Sequence, residues 1–415
     1  MTAPLAPPPR KNPQRRTPAP LAPPAPRSRA AHALSAWAAA GVVALQHCAR
    51  CGTVLYPPRD ACAACLSTQL AFRPVETRGA IVARSTIRTA IDPYFRERMP
   101  WRVASVRLSA GVSVIAHLHG DVGDEDEAVR LVPRLDRIGN AAFVAIPPED
   151  TEHMHDDPIL RELSAHPRHR RALVTDARGP LGQACVRALL DAGAAHVFAG
   201  VAEDWKPFPG EELLADERIS RVPLDVTDTR SVNELAGEIG GKADILVNTA
   251  RHVRPGHATS SGIAAAQDAL AVNALGLVRL AQAFGPAMAA RAADGTNDAV
   301  AFASFVHVAA LAAGGGWQGA SHAHHDASQA AALSTLQALR RELPGIRVLS
   351  LFTGAIEDEW TTEVAPPKLS PARAARALVE ALIAGQEDAF AGDMAEDFAT
   401  RWRADPRALQ KELAS

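Results

Sequence analysis

The segment between residues 69 and 147 alternates apolar and polar positions in short runs. Two of these runs are RVASVRL and VSVIAHLHGD, and a Ser-Ala-Gly turn joins them. Alternation with a period of two is typical of half-buried β-strands. Four to six strands of this length after the preceding cysteine-rich segment predict a small β-barrel.

Residues 171–390 show a different pattern. Apolar runs such as RALVTDA and ADILVNTA are separated by segments with helical periodicity, of which LGQACVRALLDAGA is one. Buried strands that alternate with helices predict a parallel sheet with helices on both faces. The sequence therefore predicts an α/β protein in which a doubly wound, Rossmann-type sheet follows a small barrel.

The remaining segments lack these periods. Residues 1–30 form a proline- and arginine-rich leader that we expect to be disordered, and residues 31–68 begin with a short helix. Residues 148–170 are polar and rich in histidine and proline, which is typical of an interdomain linker. Residues 391–415 are expected to form a C-terminal helical tail.

Composition limits the classes of protein that need to be considered. A chain of 415 residues with 47% hydrophobic residues can build two or three globular domains. A formal net charge of −2, and barrel strands without aromatic residues interleaved with basic ones, disfavour nucleic-acid binding. The apolar run 33–45 is shorter than the ~20 residues that cross a bilayer, and no signal-peptide cleavage site follows it. We therefore expect no membrane attachment.

Four of the five cysteines lie within eighteen residues, as the CxxC pairs Cys48/Cys51 and Cys62/Cys65. Two such pairs, separated here by ten residues, can fold as two knuckles whose thiolates meet in a closed structural Zn²⁺ site. Gly52 suits the positive φ that the first knuckle needs. Clustered cysteines indicate metal binding in a reducing compartment, so we expect a cytoplasmic location.

The segment LQHCARCGTVLYPPRDACAAC and the strands after it resemble the rubredoxin-like zinc ribbon plus OB-fold family that was catalogued as domain of unknown function 35. The resemblance covers residues 31–147 and includes the YPPR motif. It implies a zinc ribbon over 31–68 and an OB-fold over 69–147. It also implies an acyl-CoA-handling accessory module that docks on a thiolase or a related acyl-CoA condensing enzyme and is not catalytic by itself.

Residues 171–390 resemble the short-chain dehydrogenase/reductase (SDR) family in the order and spacing of their motifs. ALVTDARGPLG stands where the family has its TGxxxGxG phosphate loop and keeps Gly182. LDV contains Asp225, which matches the acidic residue that contacts adenine, and ILVNTAR keeps Asn248. AVNALG keeps the helix asparagine, Asn273. The resemblance implies a cofactor site at the first three residues and a catalytic role for Asn273.

The phosphate loop departs from the family pattern. Asp176 replaces the first glycine and Pro180 replaces the middle one. A carboxylate repels a phosphate and proline lacks an amide donor, whereas both residues suit the start of a helix. Gly200 also stands where a side chain would contact the ribose. The sequence therefore predicts a loop that keeps the helix and loses NAD(P).

The catalytic residues of the family are replaced as well. In HHDASQAA, His325 stands at the tyrosine and Gln329 at the lysine. In FASFVHVAA, Ser304 stands at the first of two serines and Phe305 at the second, catalytic one. His325 could exchange protons near neutral pH, because unperturbed histidine has a pKa of about 6.5. A metal site formed by the histidines of SHAHH and Asp326 is a further alternative to a simple polar loop.

Two functions stay open. We favour an accessory subunit of acyl-CoA metabolism whose zinc ribbon and OB-fold dock on a thiolase, and whose SDR-like half pairs with itself or with an active reductase without catalysing a reaction. Two helices by which SDRs dimerise keep small and apolar residues in helical register, which supports pairing. The alternative is an NAD(P)-dependent 3-oxoacyl/3-hydroxyacyl-CoA oxidoreductase with atypical catalytic residues.

Overall fold

The computed structural model divides the chain into two compact units. Unit 1 contains Met1–His166 and Ile383–Gln386, and unit 2 contains Pro167–Leu382 and Glu387–Ser415. The predicted leader lies almost entirely outside the described residues. The structure describes residues 2, 4–5, 28–96, 98–293, 300–312 and 322–413.

Unit 1 combines a small antiparallel sheet with a closed barrel. The sheet has the strand order β2-β1-β3, and the barrel closes in the order β4-β5-β6-β8-β7. A closed five-stranded barrel of this kind has the architecture of an OB-fold, which confirms the predicted barrel. The elements are α1 (Arg29–Ala39), β1 (Ala44–Cys48), β2 (Val54–Leu55), β3 (Leu70–Pro74), β4 (Arg78–Ile87), α2 (Pro93–Arg96), β5 (Trp101–Leu108), β6 (Ser113–Leu118), β7 (Ala128–Leu135), β8 (Ala141–Ile146) and α3 (Pro158–Glu162).

The barrel and the small sheet share one hydrophobic core. Along β6, Val114 is completely buried while its neighbour Ile115 is 58% exposed, as the alternation in the sequence predicts. Leu34 of α1 and Leu45 of β1 pack into the same cluster as the inward-facing barrel residues. The zinc-ribbon segment is therefore packed on the barrel by apolar burial as well as by chain connectivity.

The structure differs from the linker predicted over 148–170. Met154, Leu160 and Leu163 are buried and pack against residues of β8. Asp157 caps α3 by accepting hydrogen bonds from the amides of the next turn, at 2.9 and 3.2 Å. Most of this polar stretch therefore packs on the barrel, because a few apolar residues at helical spacing bury one of its faces.

Unit 2 is a seven-stranded, entirely parallel sheet with the order β11-β10-β9-β12-β13-β14-β15. This order confirms the predicted doubly wound topology. A π-helical turn, Ala271–Leu275, joins α6 to α7. The elements are β9 (Arg171–Val174), α4 (Pro180–Asp191), β10 (His196–Val201), β11 (Ile219–Pro223), α5 (Thr229–Ile239), β12 (Ile245–Asn248), α6 (Ile263–Leu270), α7 (Gly276–Ala293), β13 (Ala301–His307), α8 (Ala323–Glu342), β14 (Arg347–Thr353), α9 (Pro371–Ala384), β15 (Asp388–Ala391), α10 (Asp393–Ala404) and α11 (Pro406–Leu413).

The order of the strands in this sheet reverses between β9 and β12. In open parallel sheets, ligands bind outside the carboxyl ends of the strands at such a reversal. α4 follows β9 with Pro180 at its first position, where the missing amide hydrogen of proline costs nothing. The fold therefore places the predicted phosphate loop at the usual ligand-binding edge.

One helical run in the described part of the chain, Ile263–Ala292, is long and apolar enough to cross a membrane by length and composition alone. Its residues Leu277, Leu280 and Phe284 are completely buried in the core of unit 2. A core helix passes the same test, and the packing of these residues supports that interpretation.

Candidate functional site

The four clustered cysteines of unit 1 have the geometry of a tetrahedral metal site. The sulfur of Cys48 lies 3.6 Å from that of Cys65, and the sulfur of Cys51 lies 3.6 Å from that of Cys62. All four sulfurs lie within 4.8 Å of one another. A tetrahedral Zn²⁺ with Zn–S bonds of about 2.3 Å requires S···S edges of about 3.8 Å, so the residues fit the ion.

The two knuckles have matching backbones. In the first, the amide of Gly52 donates to the carbonyl of Cys48, and in the second the amide of Leu66 donates to the carbonyl of Cys62, both at 2.9 Å. The residue after each CxxC pair has a positive φ, 74° for Gly52 and 58° for Leu66. The second knuckle thus forms without glycine, at the conformational cost of a left-handed leucine.

Local hydrogen bonds prepare part of this cluster for a cation. The side chain of Thr53 lowers the pKa of Cys51 to about 6, and the amide of Cys51 lowers the pKa of Cys48. Although the amide of Ser67 lowers the pKa of Cys65, burial and the neighbouring thiols raise it to about 12. Metal binding by all four sulfurs would therefore displace a proton from Cys65.

In unit 2, the carboxylate of Asp176 lies at the carboxyl end of β9 and bonds to the loop before α4. Its Oδ1 accepts a hydrogen bond from the amide of Arg178 at 3.0 Å. Burial raises the pKa of Asp176, and the backbone amides of Arg178 and Gly179 oppose that shift. Loop amides at a helix start are the donors that a phosphate needs, and here a protein carboxylate already accepts from one of them.

Two threonines fix the backbone on either side of this loop. Thr249 donates to the carbonyl of Asp176 at 2.9 Å and accepts from its amide at 3.0 Å. Thr175 donates to the side chain of Asn248 at 2.9 Å, and Asn248 donates in turn to Ser304 at 3.2 Å. Asn248, a predicted cofactor-binding residue, is thus buried and hydrogen-bonded within the sheet.

Two glycines of this region are needed for packing. A Cβ at Gly182 would lie 1.7 Å from the carbonyl oxygen of Asp176, and a Cβ at Gly200 would lie 2.6 Å from that of Thr175. No side chain fits at either position without a shift of the backbone. The interpretation of Gly200 as a missing ribose contact was therefore wrong, and Gly182 is required by helix–strand packing whether or not a dinucleotide binds.

The predicted adenine side of the site is more exposed. Asp225 lies just after β11, and its Oδ1 accepts hydrogen bonds from the amide and the hydroxyl of Thr227 at 2.8 and 2.7 Å. Arg178 reaches the end of β10, where it bonds to the carbonyl of Ala202 at 3.0 Å and to Glu203 at 3.1 Å. Both charged side chains thus have partners within the protein.

A small pocket lies at the carboxyl ends of β12, β13 and β14. Its cavity volume is about 30 Å³, close to the space that one water molecule takes up in the liquid. Pockets that bind drug-sized ligands usually measure about 300–1,000 Å³. Arg251 lines the pocket and forms an ion pair with Asp358, and both side chains are largely buried. Among the described residues, the cavity is therefore much smaller than a typical ligand pocket.

The structure brings two predicted catalytic residues together, Asn273 and His325. Asn273 lies in the π-helical turn, donates to the carbonyl of His252 at 2.9 Å and to Ser328 at 2.8 Å, and lies 3.5 Å from Nδ1 of His325. Burial lowers the pKa of His325 to about 4. A pKa this low keeps the ring neutral at pH 7 and disfavours the proton exchange that the sequence left open for His325.

Ser304, the third predicted catalytic residue, is not brought to this pocket. His307, three residues further along β13, lies beside His325 with ring centroids 5.7 Å apart. Phe305 contributes to the pocket wall, and Gln329 accepts a hydrogen bond from the amide of His307 at 2.9 Å. The serine segment is therefore shifted relative to the register that the sequence predicted. The residue of β13 that faces His325 is His307 and not Ser304.

The alternative metal site also differs from the one predicted. Within the described residues, His307, His325 and Asp326 have potential ligand atoms within 4.8 Å of one another, and all three are buried. His322 and His324 of the SHAHH segment are not part of this group. Strand β13 thus supplies a histidine that the SHAHH motif does not contain.

His307 and the ion pair of Arg251 were not predicted as site residues. His307 could have been found in FASFVHVAA if the strand had been extended to its observed end. Asp358 lies 107 residues after Arg251, and no local signal marks the pair.

These observations define a protein that fuses a zinc ribbon and an OB-fold to a Rossmann-type unit. The family model described as enoyl-(acyl carrier protein) reductase matches residues 177–391. The chain therefore belongs to this SDR family. The models described as ChsH2, rubredoxin-like zinc ribbon domain, and ChsH2, C-terminal OB-fold domain, match residues 38–71 and 72–134.

Two short-chain dehydrogenases are among the solved structures to which the chain is similar. A short-chain dehydrogenase from Burkholderia cenocepacia J2315, in complex with NADP, is 30% identical with a TM-score of 0.52, over 59% of this chain and 98% of that one. A short-chain dehydrogenase from Streptomyces avermitilis is 23% identical with a TM-score of 0.47, over 59% of this chain and 96% of that one. The comparison with curated protein sequences gives no match.

Proposed function

We propose that the protein is an accessory subunit of acyl-CoA metabolism. The zinc ribbon, held by Cys48, Cys51, Cys62 and Cys65 around a structural Zn²⁺, and the OB-fold dock on a thiolase or related condensing enzyme. The SDR-like unit pairs with itself or with an active reductase and does not carry out hydride transfer. We place this complex in the cytoplasm.

The observation that carries this proposal is the hydrogen bonding of Asp176. Its carboxylate accepts from the loop amide of Arg178, which a diphosphate would otherwise engage. A dinucleotide would have to displace this carboxylate and also bring its own negative charge close to it. Coulomb repulsion between like charges is strong where water is excluded, so the loop disfavours NAD(P).

Pairing is supported by apolar side chains on the described surface of unit 2. Ile263, Leu270 and Leu275, which lie in α6 and the π-helical turn, are 75%, 37% and 50% exposed. Exposed apolar residues close together in sequence favour burial against a partner. In unit 1, Leu66 at the second knuckle is 80% exposed, which supports docking through the ribbon.

The experiment that tests the proposal combines co-purification with an assay of turnover. The tagged chain should co-purify with a thiolase or a reductase subunit from the cells that produce it, and the purified chain should not oxidise NADH or NADPH with a 3-oxoacyl-CoA. Recovery of the chain alone as a monomer, or turnover of the 3-oxoacyl-CoA, would overturn the proposal.

A second candidate function is NAD(P)-dependent oxidation and reduction of 3-hydroxyacyl and 3-oxoacyl-CoA. The relative from Burkholderia cenocepacia was crystallised with NADP. The guanidinium of Arg178 reaches the end of β10, where an arginine can accommodate the 2′-phosphate of NADP. Its ion pair with Glu203 opposes that role, since Glu203 would compete with the phosphate. Turnover specific to NADPH would favour this candidate.

A further inference from the structure

Unit 1 contains a pocket of its own, which is separate from the cysteine cluster. Its cavity volume is about 230 Å³, larger than the ~150 Å³ apolar cavity that is known to bind benzene in another protein. The pocket lies against β5, β6 and β8 of the barrel. Aliphatic side chains line part of it, and its aromatic walls are formed by Tyr56, Tyr94, Phe95, Trp101 and Phe143.

The aromatic walls are held in place by the protein itself. The ring centroids of Phe95 and Trp101 lie 5.8 Å apart in an edge contact, and those of Tyr56 and Phe143 lie 5.9 Å apart. Trp101 donates its indole N–H to the carbonyl of Phe95 at 3.2 Å, and Tyr94 donates its hydroxyl to Glu162 at 3.1 Å. The polar groups of these two walls are therefore satisfied, and the rings are preorganised.

Two other polar groups of the pocket have no partner among the described residues. Nδ1 of His117 is buried and makes no hydrogen bond, and the ring stacks obliquely on Trp101 at 4.9 Å. Burial lowers the pKa of His117 to about 4 and raises that of Tyr56, so both groups are neutral at pH 7. The Tyr56 hydroxyl forms no hydrogen bond to a described residue. A buried group left in this way, as Nδ1 of His117 is, favours a ligand that supplies the missing hydrogen bond.

The described residues that line the pocket offer no free charge to a ligand. Among them, Asp136 carries the only carboxylate. That carboxylate already accepts hydrogen bonds from the amides of Ile138 and Asn140 at 3.0 and 2.9 Å, and from the side chain of Asn140 at 3.0 Å. A charged ligand would lose its hydration without gaining a counter-ion, so the walls favour an uncharged ligand.

We propose that this pocket binds a small, uncharged aromatic molecule that carries a hydroxyl group. The ring lies among the aromatic walls, where offset and edge contacts between rings are favourable. The hydroxyl group exchanges hydrogen bonds with Nδ1 of His117 and the hydroxyl of Tyr56. This site is independent of the proposed accessory role and of any dinucleotide in unit 2.

The test uses the full zinc-loaded chain with phenol and benzene as probes of matched shape. Saturation-transfer NMR and competition between the probes give their relative affinities. We expect phenol to bind at least about fivefold more tightly than benzene, the factor that one net hydrogen bond supplies. His117→Phe keeps an aromatic ring and removes its polar atoms, and should lower this preference while benzene still binds, since the Tyr56 hydroxyl remains.

Ala142→Phe fills the pocket from β8 and should abolish saturation transfer to both probes. Ala128→Phe, at an exposed position of β7 in the same barrel, is the matched control and should leave both signals unchanged. The proposal is overturned if phenol shows no saturation transfer with the wild-type chain, if a folded Ala142→Phe variant binds it as before, or if the preference for phenol is undiminished in His117→Phe. His117→Phe tests the proposal even if Ala142→Phe does not fold.

Discussion

The cysteine knuckles of unit 1 and the loop after β9 in unit 2 are both short turns that could hold a charged ligand, yet they are built in opposite ways. In the knuckles, four sulfurs crowd together within 4.8 Å, and several titrate away from their ordinary pKa. In the loop, the carboxylate of Asp176 accepts a hydrogen bond from the amide of Arg178. The knuckles fit a cation, whereas the loop amide has a partner within the chain.

On the proposed function, the difference illustrates how a ligand site can be lost while the fold is kept. Four thiolates held close together repel one another unless a cation binds them, so the ribbon is coupled to its metal. Asp176 supplies the negative charge that a phosphate would bring, and thereby stabilises the helix start from within the chain. Retained packing glycines, such as Gly182, are therefore compatible with loss of the cofactor.

The largest expected effect is on the knuckles. Cys62→Ser should abolish stoichiometric zinc binding and unfold the ribbon, because structural Zn²⁺ contributes about 10 kcal/mol or more to such domains. Metal analysis and hydrogen exchange of the β1 amides would measure the two effects. Cys185→Ala, which removes the buried cysteine of α4, is the control and should keep the zinc. Full zinc content in Cys62→Ser would contradict the four-cysteine site.

The next largest effect concerns Gly182. Its replacement by alanine would place a methyl group 1.7 Å from the carbonyl of Asp176, so the strand and the helix must move apart. Overpacking of this kind should lower the free energy of unfolding by about 3 kcal/mol or more. The matched change Gly237→Ala, where a Cβ on α5 meets nothing within 4 Å, should raise it by about 1 kcal/mol. Urea denaturation compares the two, and equal effects would contradict the packing role.

A smaller effect depends on pH. Burial lowers the pKa of His325 to about 4, from an ordinary value of 6.5. Between pH 6.5 and 4, His325 is therefore protonated in the unfolded chain but not in the folded chain. This residue lowers the free energy of unfolding as the pH falls through that range. The wild type should lose about 2–3 kcal/mol relative to His325→Asn between pH 7 and 4.5. If the difference in unfolding free energy between the wild type and His325→Asn is the same at pH 7 and pH 4.5, the His325 ring is not buried as described.

The sequence was sufficient for the features that depend on local pattern. Periodicity predicted the barrel and the parallel sheet, and the CxxC spacing predicted the cysteine cluster, because each is determined by residues close together in the chain. The segment 148–170 was misjudged since its few apolar residues, such as Leu160, are outnumbered by polar ones. Its burial depends on contact with a distant strand.

The polar network of unit 2 was less accessible to sequence reasoning. The sequence shows the substitution at Asp176, but the hydrogen bond between its carboxylate and the loop amide of Arg178 depends on the three-dimensional arrangement of the loop. The pairing of His307 with His325 depends on where β13 ends, and the ion pair of Arg251 with Asp358 joins distant segments. Contacts of this kind form where the ends of several strands meet at one edge of the sheet. Those strands are distant in sequence, so no local motif predicts the contacts.

The measurement that tests the central claim most directly is a calorimetric titration of the full wild-type chain with NADPH and NADH. If Asp176 occupies the phosphate position, neither dinucleotide gives saturable binding up to millimolar concentration, and Asp176→Gly gains measurable affinity. Binding of either dinucleotide to the wild-type chain with a micromolar Kd would contradict the claim.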